Sequence, residues 1–199
     1  MSIVIISDRD PKAWLSALKA KAPEVEVSVY PEVSNKEKVD YALVWNYPHG
    51  VLEEFPNLKV VASMGAGVDH IVSDPGLPKE VLVTRVVDIQ LGIDMAEFVL
   101  AIIMDHLRNL SVHKGMEALK EWKPRTYFRI ADPTVGIMGM GILGNKVSEK
   151  LKSTGFRVTG WARTQRTNRD FMIYSGREEL ESFLKEANIL VCLLPLTPL

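Results

Sequence analysis

Gly139, Gly141 and Gly144 stand as G-x-G-x-x-G within the run Thr134-Val135-Gly136-Ile137-Met138-Gly139-Met140-Gly141-Ile142-Leu143-Gly144. The chemistry this spacing offers is capture of a diphosphate by backbone amides. A β-branched strand leads in and a helical pattern, Asn145–Leu151, leads out, which is the strand–turn–helix setting that a dinucleotide fingerprint needs. Gly139 permits the tight turn. Gly141, without a Cβ, lets backbone approach a pyrophosphate, and Gly144 lets helix and strand pack closely. The helix start adds unpaired N–H groups and the positive end of a dipole. Met140, Ile142 and Leu143 complete the turn, so Gly139 through Gly144 are all expected at the cofactor. A glycine-rich turn without a ligand is the competing reading.

The end of the next strand selects the dinucleotide. A carboxylate there binds the ribose 2′-hydroxyl of NAD, whereas a basic residue accommodates the 2′-phosphate of NADP. Here the strand ends Trp161-Ala162-Arg163-Thr164-Gln165-Arg166, with no Asp or Glu. Arg163 and Arg166 suit a phosphate because a guanidinium donates two parallel hydrogen bonds, and Thr164 adds a hydroxyl. These residues point to NADP, with a solvated basic loop as the alternative. Further on, Leu194 and Pro195 either wall the adenine side or simply end a strand.

These groups need elements to hold them. Ile3–Ser7, Val25–Tyr30, Tyr41–Trp45, Lys59–Ser63 and Val81–Val87 read as strands, with a helix at Pro11–Lys21 and helical turns near Val51–Phe55 and Val68–Val72. Such alternation predicts a parallel sheet covered by helices. A long helix is expected from about Asp94 to Leu110. Its Met95, Ala96, Phe98, Val99, Ala101, Ile102, Ile103 and Leu107 make it apolar on more than one face, as between domains or in a subunit interface. After the fingerprint come strand Arg157–Trp161, a basic loop, strand Phe171–Tyr174, helix Glu178–Ala187 and strand Asn188–Leu194. Two units follow, residues 1–92 and 93–199, with a hinge near Gly92 and a cofactor cleft expected between them.

The 199 residues are 47% hydrophobic and 25% charged, with a formal net charge of −1. That balance offers no electrostatic case for nucleic acid or an anionic membrane. The single cysteine, Cys192, lies in an apolar run and reads as a buried core thiol in a reducing compartment. No leader and no membrane-spanning stretch is read, so a cytoplasmic protein is expected. No metal-ligand cluster is expected.

The segments Ala42-Leu43-Val44-Trp45, Met64-Gly65-Ala66-Gly67-Val68-Asp69, Met95-Ala96-Glu97, Trp122-Lys123-Pro124, Val135–Gly144, Trp161-Ala162-Arg163 and Leu193-Leu194-Pro195-Leu196-Thr197 together resemble the D-isomer-specific 2-hydroxyacid dehydrogenases, and among them the glyoxylate/hydroxypyruvate reductase A subgroup. The resemblance implies an α/β protein of two doubly wound parallel-sheet domains, a flavodoxin-like substrate domain and part of an NAD(P)-binding Rossmann domain. It implies that amides of the Gly65-Ala66-Gly67 loop hold a substrate carboxylate, that Trp45 stands near the substrate mouth, that Met95 contacts the nicotinamide side, and that the long helix forms a homodimer. A turn at Gly65–Gly67 and a core position for Trp45 are the structural alternatives. The reaction implied is reduction of glyoxylate or hydroxypyruvate by NADPH.

The resemblance also places the family's catalytic arginine, glutamate and histidine downstream of the Leu-Pro-Leu-Thr-Pro segment, so no catalytic residue is assigned here. His49, His70, His106 and His113 are read as structural or surface residues, and Arg85 as a possible carboxylate contact. A complete dinucleotide fold has six strands in the order 3-2-1-4-5-6. Only the first four are read here, so the chain is expected to be part of a longer protein and inactive by itself. Two other functions share the scaffold: a non-catalytic dinucleotide sensor of the corepressor type, and an NAD-dependent dehydrogenase of another 2-hydroxy acid.

Overall fold

The computed structural model describes residues 1–195, so the end of the Leu-Pro-Leu-Thr-Pro segment, from Leu196, lies outside the described residues. The chain divides into two compact units, one of Met1–Val87 together with Pro195 and the other of Asp88–Leu194.

The first unit is built on β1 (Ser2–Ser7), β2 (Glu26–Val29), β3 (Tyr41–Trp45), β4 (Val60–Ser63) and β5 (Leu82–Arg85), with helices α1 (Lys12–Lys21) and α2 (Asp69–Val72). All pairings are parallel and the order is β2-β1-β3-β4-β5. This is the doubly wound order of flavodoxin-like sheets, whose ligand crevice lies outside the carboxyl ends of the strands where the order reverses, here between β1 and β3. Val4, Ile6, Ala42, Val44 and Val61 pack with Leu52, Phe55 and Ile71 into one core. Parallel strands covered on both faces must be apolar throughout, which is why β1 and β3 read as Ile-Val-Ile-Ile and Ala-Leu-Val-Trp. Register sets Ser7 opposite Trp45, Val44 opposite Ser63, and Ser63 opposite Arg85. The side chains that end the strands are thereby lined up on one edge.

The second unit contains α3 (Ile89–Arg108), α4 (Leu110–Ala118), β6 (Thr134–Met138), α5 (Ile142–Thr154), β7 (Arg157–Ala162), β8 (Ile173–Ser175), α6 (Leu180–Glu186) and β9 (Ile189–Cys192). Its sheet is parallel with order β8-β7-β6-β9. Numbered within the unit this is 3-2-1-4, the first four strands of the dinucleotide-binding order. Ala96, Val99, Ile103 and Leu107 of α3 close on Val147 and Leu151 of α5, above Val135 and Ile137 of β6. Full burial of each large aliphatic side chain there contributes about 1.5–3 kcal/mol.

Three expectations are corrected. Gly92, read as a hinge, is buried inside α3 against the Lys146 side chain. The helix starts earlier than Asp94 because Asp88 caps it, its carboxylate accepting from the Gln90 N–H at 2.9 Å. The long helix also stops at Arg108. Asn109 adopts left-handed φ 54° and begins a separate α4, and an asparagine in that conformation is a usual helix terminator. Cys192 is exposed rather than buried. Side chains alternate along β9, so Ile189 and Val191 are half-buried on one face of the sheet while Leu190 and Cys192 are exposed on the other, although the run is apolar.

Candidate functional site

In the second unit the glycine-rich turn joins β6 to α5, as the spacing requires. Gly139 has φ 103°, a left-handed value that a side chain resists, and a Cβ on it would meet the Leu193 carbonyl at 3.0 Å and Leu194 Cδ2 at 3.2 Å. A Cβ on Gly144 would lie 2.1 Å from the Gly139 carbonyl oxygen, so glycine there is a condition of closing the turn. Gly141 differs from both, since among the described residues nothing beyond its chain neighbours lies within 4 Å of the Cβ position. That open space faces the start of α5. The first intrahelical acceptor is the Gly141 carbonyl, which takes the Asn145 N–H at 3.0 Å. The N–H groups of Ile142, Leu143 and Gly144 precede any intrahelical acceptor, no side chain caps them, and no acidic residue stands in the first turn. The turn therefore offers three amides, a positive dipole end and room for a diphosphate. This is an observation of shape and donors that fits the group the spacing implies.

The other residues named for the cofactor fall into place unequally. Met140 turns its side chain into the core, where it fills the space over Gly160 and its sulfur accepts from Ser148 Oγ at 3.8 Å; only its backbone can face a ligand. Ile142 is exposed and Leu143 half-buried. Arg163, Thr164 and Arg166 are exposed just beyond β7, and no carboxylate pairs with either arginine among the described residues. Leu194 stands against Gly139, and Pro195 is exposed. Met95 lies half-buried on α3, packed on the core.

In the first unit, Gly65-Ala66-Gly67 leaves the end of β4. Every carbonyl of this loop is occupied from within. The Gly65 oxygen takes the Val86 N–H at 3.1 Å, the Ala66 oxygen takes an Arg85 guanidinium N–H at 3.1 Å, and the Gly67 oxygen takes the Ser63 hydroxyl at 2.7 Å. Ser63 Oγ in turn accepts the Gly65 N–H at 3.1 Å. The Ala66 and Gly67 N–H groups have no acceptor among the described residues. Carbonyls bound inward and amides left unpaired make a donor nest, a shape that suits a carboxylate. Arg85, considered for a direct carboxylate contact, braces the loop with one guanidinium N–H and keeps the others.

Trp45 is half-buried over this loop. A Cβ on Gly65 would sit 2.3 Å from its Cζ3, so the indole occupies the space the glycine leaves. His70 supports the indole, its ring centroid 5.2 Å away, with Tyr47 6.4 Å beyond. Behind them the Asp74 carboxylate accepts the Gly50 and Gly76 N–H groups at 3.0 and 2.9 Å. Burial, and then the neighbouring Asp74 carboxylate, push the Tyr47 hydroxyl well above its ordinary value, which keeps it a neutral phenol. Tyr47 Oη, His70 Nε2 and Asp74 Oδ2 are buried without a partner among the described residues. Sequence reasoning missed this cluster, because Tyr47 follows β3 while His70 lies on α2 and Asp74 just beyond it, well separated along the chain, and only the fold brings them together. No group of three or more candidate metal ligands occurs among the described residues.

The family model for the D-isomer specific 2-hydroxyacid dehydrogenase NAD binding domain matches residues 100–199, half of the chain. The chain belongs to the D-isomer specific 2-hydroxyacid dehydrogenases. Within this family it is 34% identical over 193 residues to glyoxylate/hydroxypyruvate reductase A of Enterobacter sp. (strain 638), covering 94% of this chain and 61% of that protein. To the protein of the same name from Escherichia fergusonii it is 34% identical over 194 residues, 95% of this chain and 62% of that one. Among solved structures, the D-isomer specific 2-hydroxyacid dehydrogenase of Xanthobacter autotrophicus Py2, in complex with NADPH and MES, superposes with a TM-score of 0.90 at 36% identity, over 99% of this chain and 64% of that one. The NADPH-dependent glyoxylate/hydroxypyruvate reductase of Sinorhizobium meliloti, in complex with NADP and sulfate, gives 0.88 at 37% identity, over 99% of this chain and 63% of that one. The chain thus spans 61% and 62% of the two curated relatives.

Proposed function

We propose that this chain binds NADPH in its second unit and anchors the carboxylate of a small 2-oxo acid in its first, as parts of a reductase that converts glyoxylate or hydroxypyruvate to the 2-hydroxy acid. The observation that carries the proposal is the turn Gly139–Gly144, with unpaired amides facing open space at Gly141. Identity above 30% to reductases of this name supports the substrate class.

In this reading the N–H groups opening α5 hold the diphosphate, with Gly139, Met140, Gly141, Ile142, Leu143 and Gly144 forming the turn. Arg163, Thr164 and Arg166 hold the 2′-phosphate, Leu194 and Pro195 wall the adenine side, and Met95 lies on the nicotinamide side. The bound cofactor supplies the hydride. Ala66 and Gly67 orient the substrate by its carboxylate, and Trp45 excludes water from the mouth of that nest. None of these groups is assigned the proton that the developing alkoxide takes up. The lone cysteine, an exposed thiol, fits a reducing cytoplasm; among the described residues no helix is long and apolar enough to cross a membrane.

The complete protein is tested for oxidation of NADPH by glyoxylate. Arg163→Ala is expected to raise the Kd for NADPH by about tenfold to a hundredfold, the equivalent of one charge-assisted contact, while the Kd for NADH changes little. Equal effects on both nucleotides would remove Arg163 from the 2′-phosphate site. Binding without turnover in the complete protein would favour the sensor.

We further propose a homodimer through α3. One face of this helix packs on α5, while Phe98 and Ile102, one turn apart on the other, are 62% and 53% exposed. Large apolar side chains in such a position mark a contact surface. Ile102→Glu is expected to convert a dimer to a monomer in sedimentation velocity; an unchanged sedimentation coefficient would place the contact elsewhere.

A further inference from the structure

At the switch point of the first sheet, the ends of β1 and β3 are tied together by groups the proposed reaction has not used. Asn46 takes a left-handed φ of 43° directly after β3, and its side-chain amide donates to the Asp8 carboxylate, directly after β1, at 2.5 Å. Asp8 is thereby engaged with an amide rather than with its neighbour, Arg9. The Arg9 guanidinium lies over the Trp45 ring, 4.5 Å from its centroid. It makes no ion pair among the described residues and is exposed. Stacking satisfies one face of a guanidinium and leaves its N–H edge available for an anion. Trp45 therefore links a cation to the start of the loop that carries the unpaired Ala66 and Gly67 amides. Its Cζ3 edge covers Gly65, at the start of the loop with the unpaired amides, and its ring carries the cation.

We propose that Arg9 is a specificity-determining residue that binds the end of the substrate remote from the anchored carboxylate, so that the site takes 2-oxo acids bearing a second anionic group. The inference rests on the assignment of the Ala66–Gly67 amides to the first carboxylate. Given that anchor, a substrate lying along the indole brings its far end to the guanidinium. A planar fork held against a ring is preorganised for a carboxylate, which a flexible lysine is not. Hydroxypyruvate presents only a hydroxyl to it and glyoxylate presents nothing.

The test compares oxaloacetate, a 2-oxo acid with a distal carboxylate, with glyoxylate as substrates of the complete protein with NADPH. The unaltered protein is expected to reduce both. In Arg9→Gln the ratio of kcat/KM for oxaloacetate to that for glyoxylate is expected to fall about tenfold to a hundredfold, through KM, as for loss of one charge-assisted contact. Arg9→Lys should recover part of it. Calorimetry without turnover should agree, with tartronate losing more affinity than glycolate in Arg9→Gln. An equal loss on both substrates would mean that Arg9 only props the indole, and would overturn the proposal, as would failure of the unaltered protein to reduce oxaloacetate. Absence of glyoxylate turnover would instead bring down the reductase reading on which the inference stands.

Discussion

Gly141→Ala is expected to abolish high-affinity NADPH binding while leaving the fold intact. Apart from Gly141 and its chain neighbours, no atom of the described residues lies within 4 Å of the new methyl group, so the second unit has no reason to lose stability. The methyl group would stand in the space proposed for the diphosphate, and the backbone could no longer approach the phosphate oxygens. Kd for NADPH should rise by about a hundredfold or more, the loss of several amide–phosphate hydrogen bonds to a charged acceptor. Gly144→Ala supplies the control. Its Cβ would meet the Gly139 carbonyl oxygen at 2.1 Å, a backbone atom that cannot step aside without reopening the turn. Strain of this kind costs on the order of 1–3 kcal/mol or more, so this variant should lose binding together with several degrees of Tm. Thermal melts with fluorescence titration of NADPH on both variants give the answer. If Gly141→Ala binds normally, the turn does not hold the diphosphate.

The second large effect is expected in the other unit. Gly65→Ala sets a methyl group 2.3 Å from Trp45 Cζ3, in a loop whose Ser63, Arg85 and Val86 contacts fix all three carbonyls. Either the indole moves or the loop does, and both displace the Ala66 and Gly67 amides. KM for glyoxylate should rise by about tenfold to a hundredfold, since misaligned donors lose about 1.5–3 kcal/mol of a charge-assisted bond, with little change in the Kd for NADPH. Steady-state kinetics beside nucleotide titration separates the two. A normal KM would show that the loop does not anchor substrate.

Much of this was legible along the chain. The parallel sheets follow from short apolar strands alternating with helical patterns. The fingerprint follows from glycine spacing, because a turn between strand and helix is a local structure whose demands fall on adjacent residues. The absence of Asp or Glu after Trp161 is equally local. Element ends were harder to read. Asp88 and Asn109 mark α3 through a cap and a left-handed residue, yet helical residues continue past Asn109 into α4, so composition alone does not locate the break.

What the sequence by itself determined is the glycine-rich turn between strand and helix, the basic tip beyond β7 and the doubly wound class, all set by neighbours a few residues apart. Only the tertiary structure decided that Met140 belongs to the core, that Cys192 is exposed, that Arg85 braces a loop, and that Trp45 stands between Gly65, His70 and Arg9. The physical reason is that a parallel sheet collects the ends of strands far apart in the chain onto one edge, and burial and partners there depend on register and strand order, which no local pattern encodes.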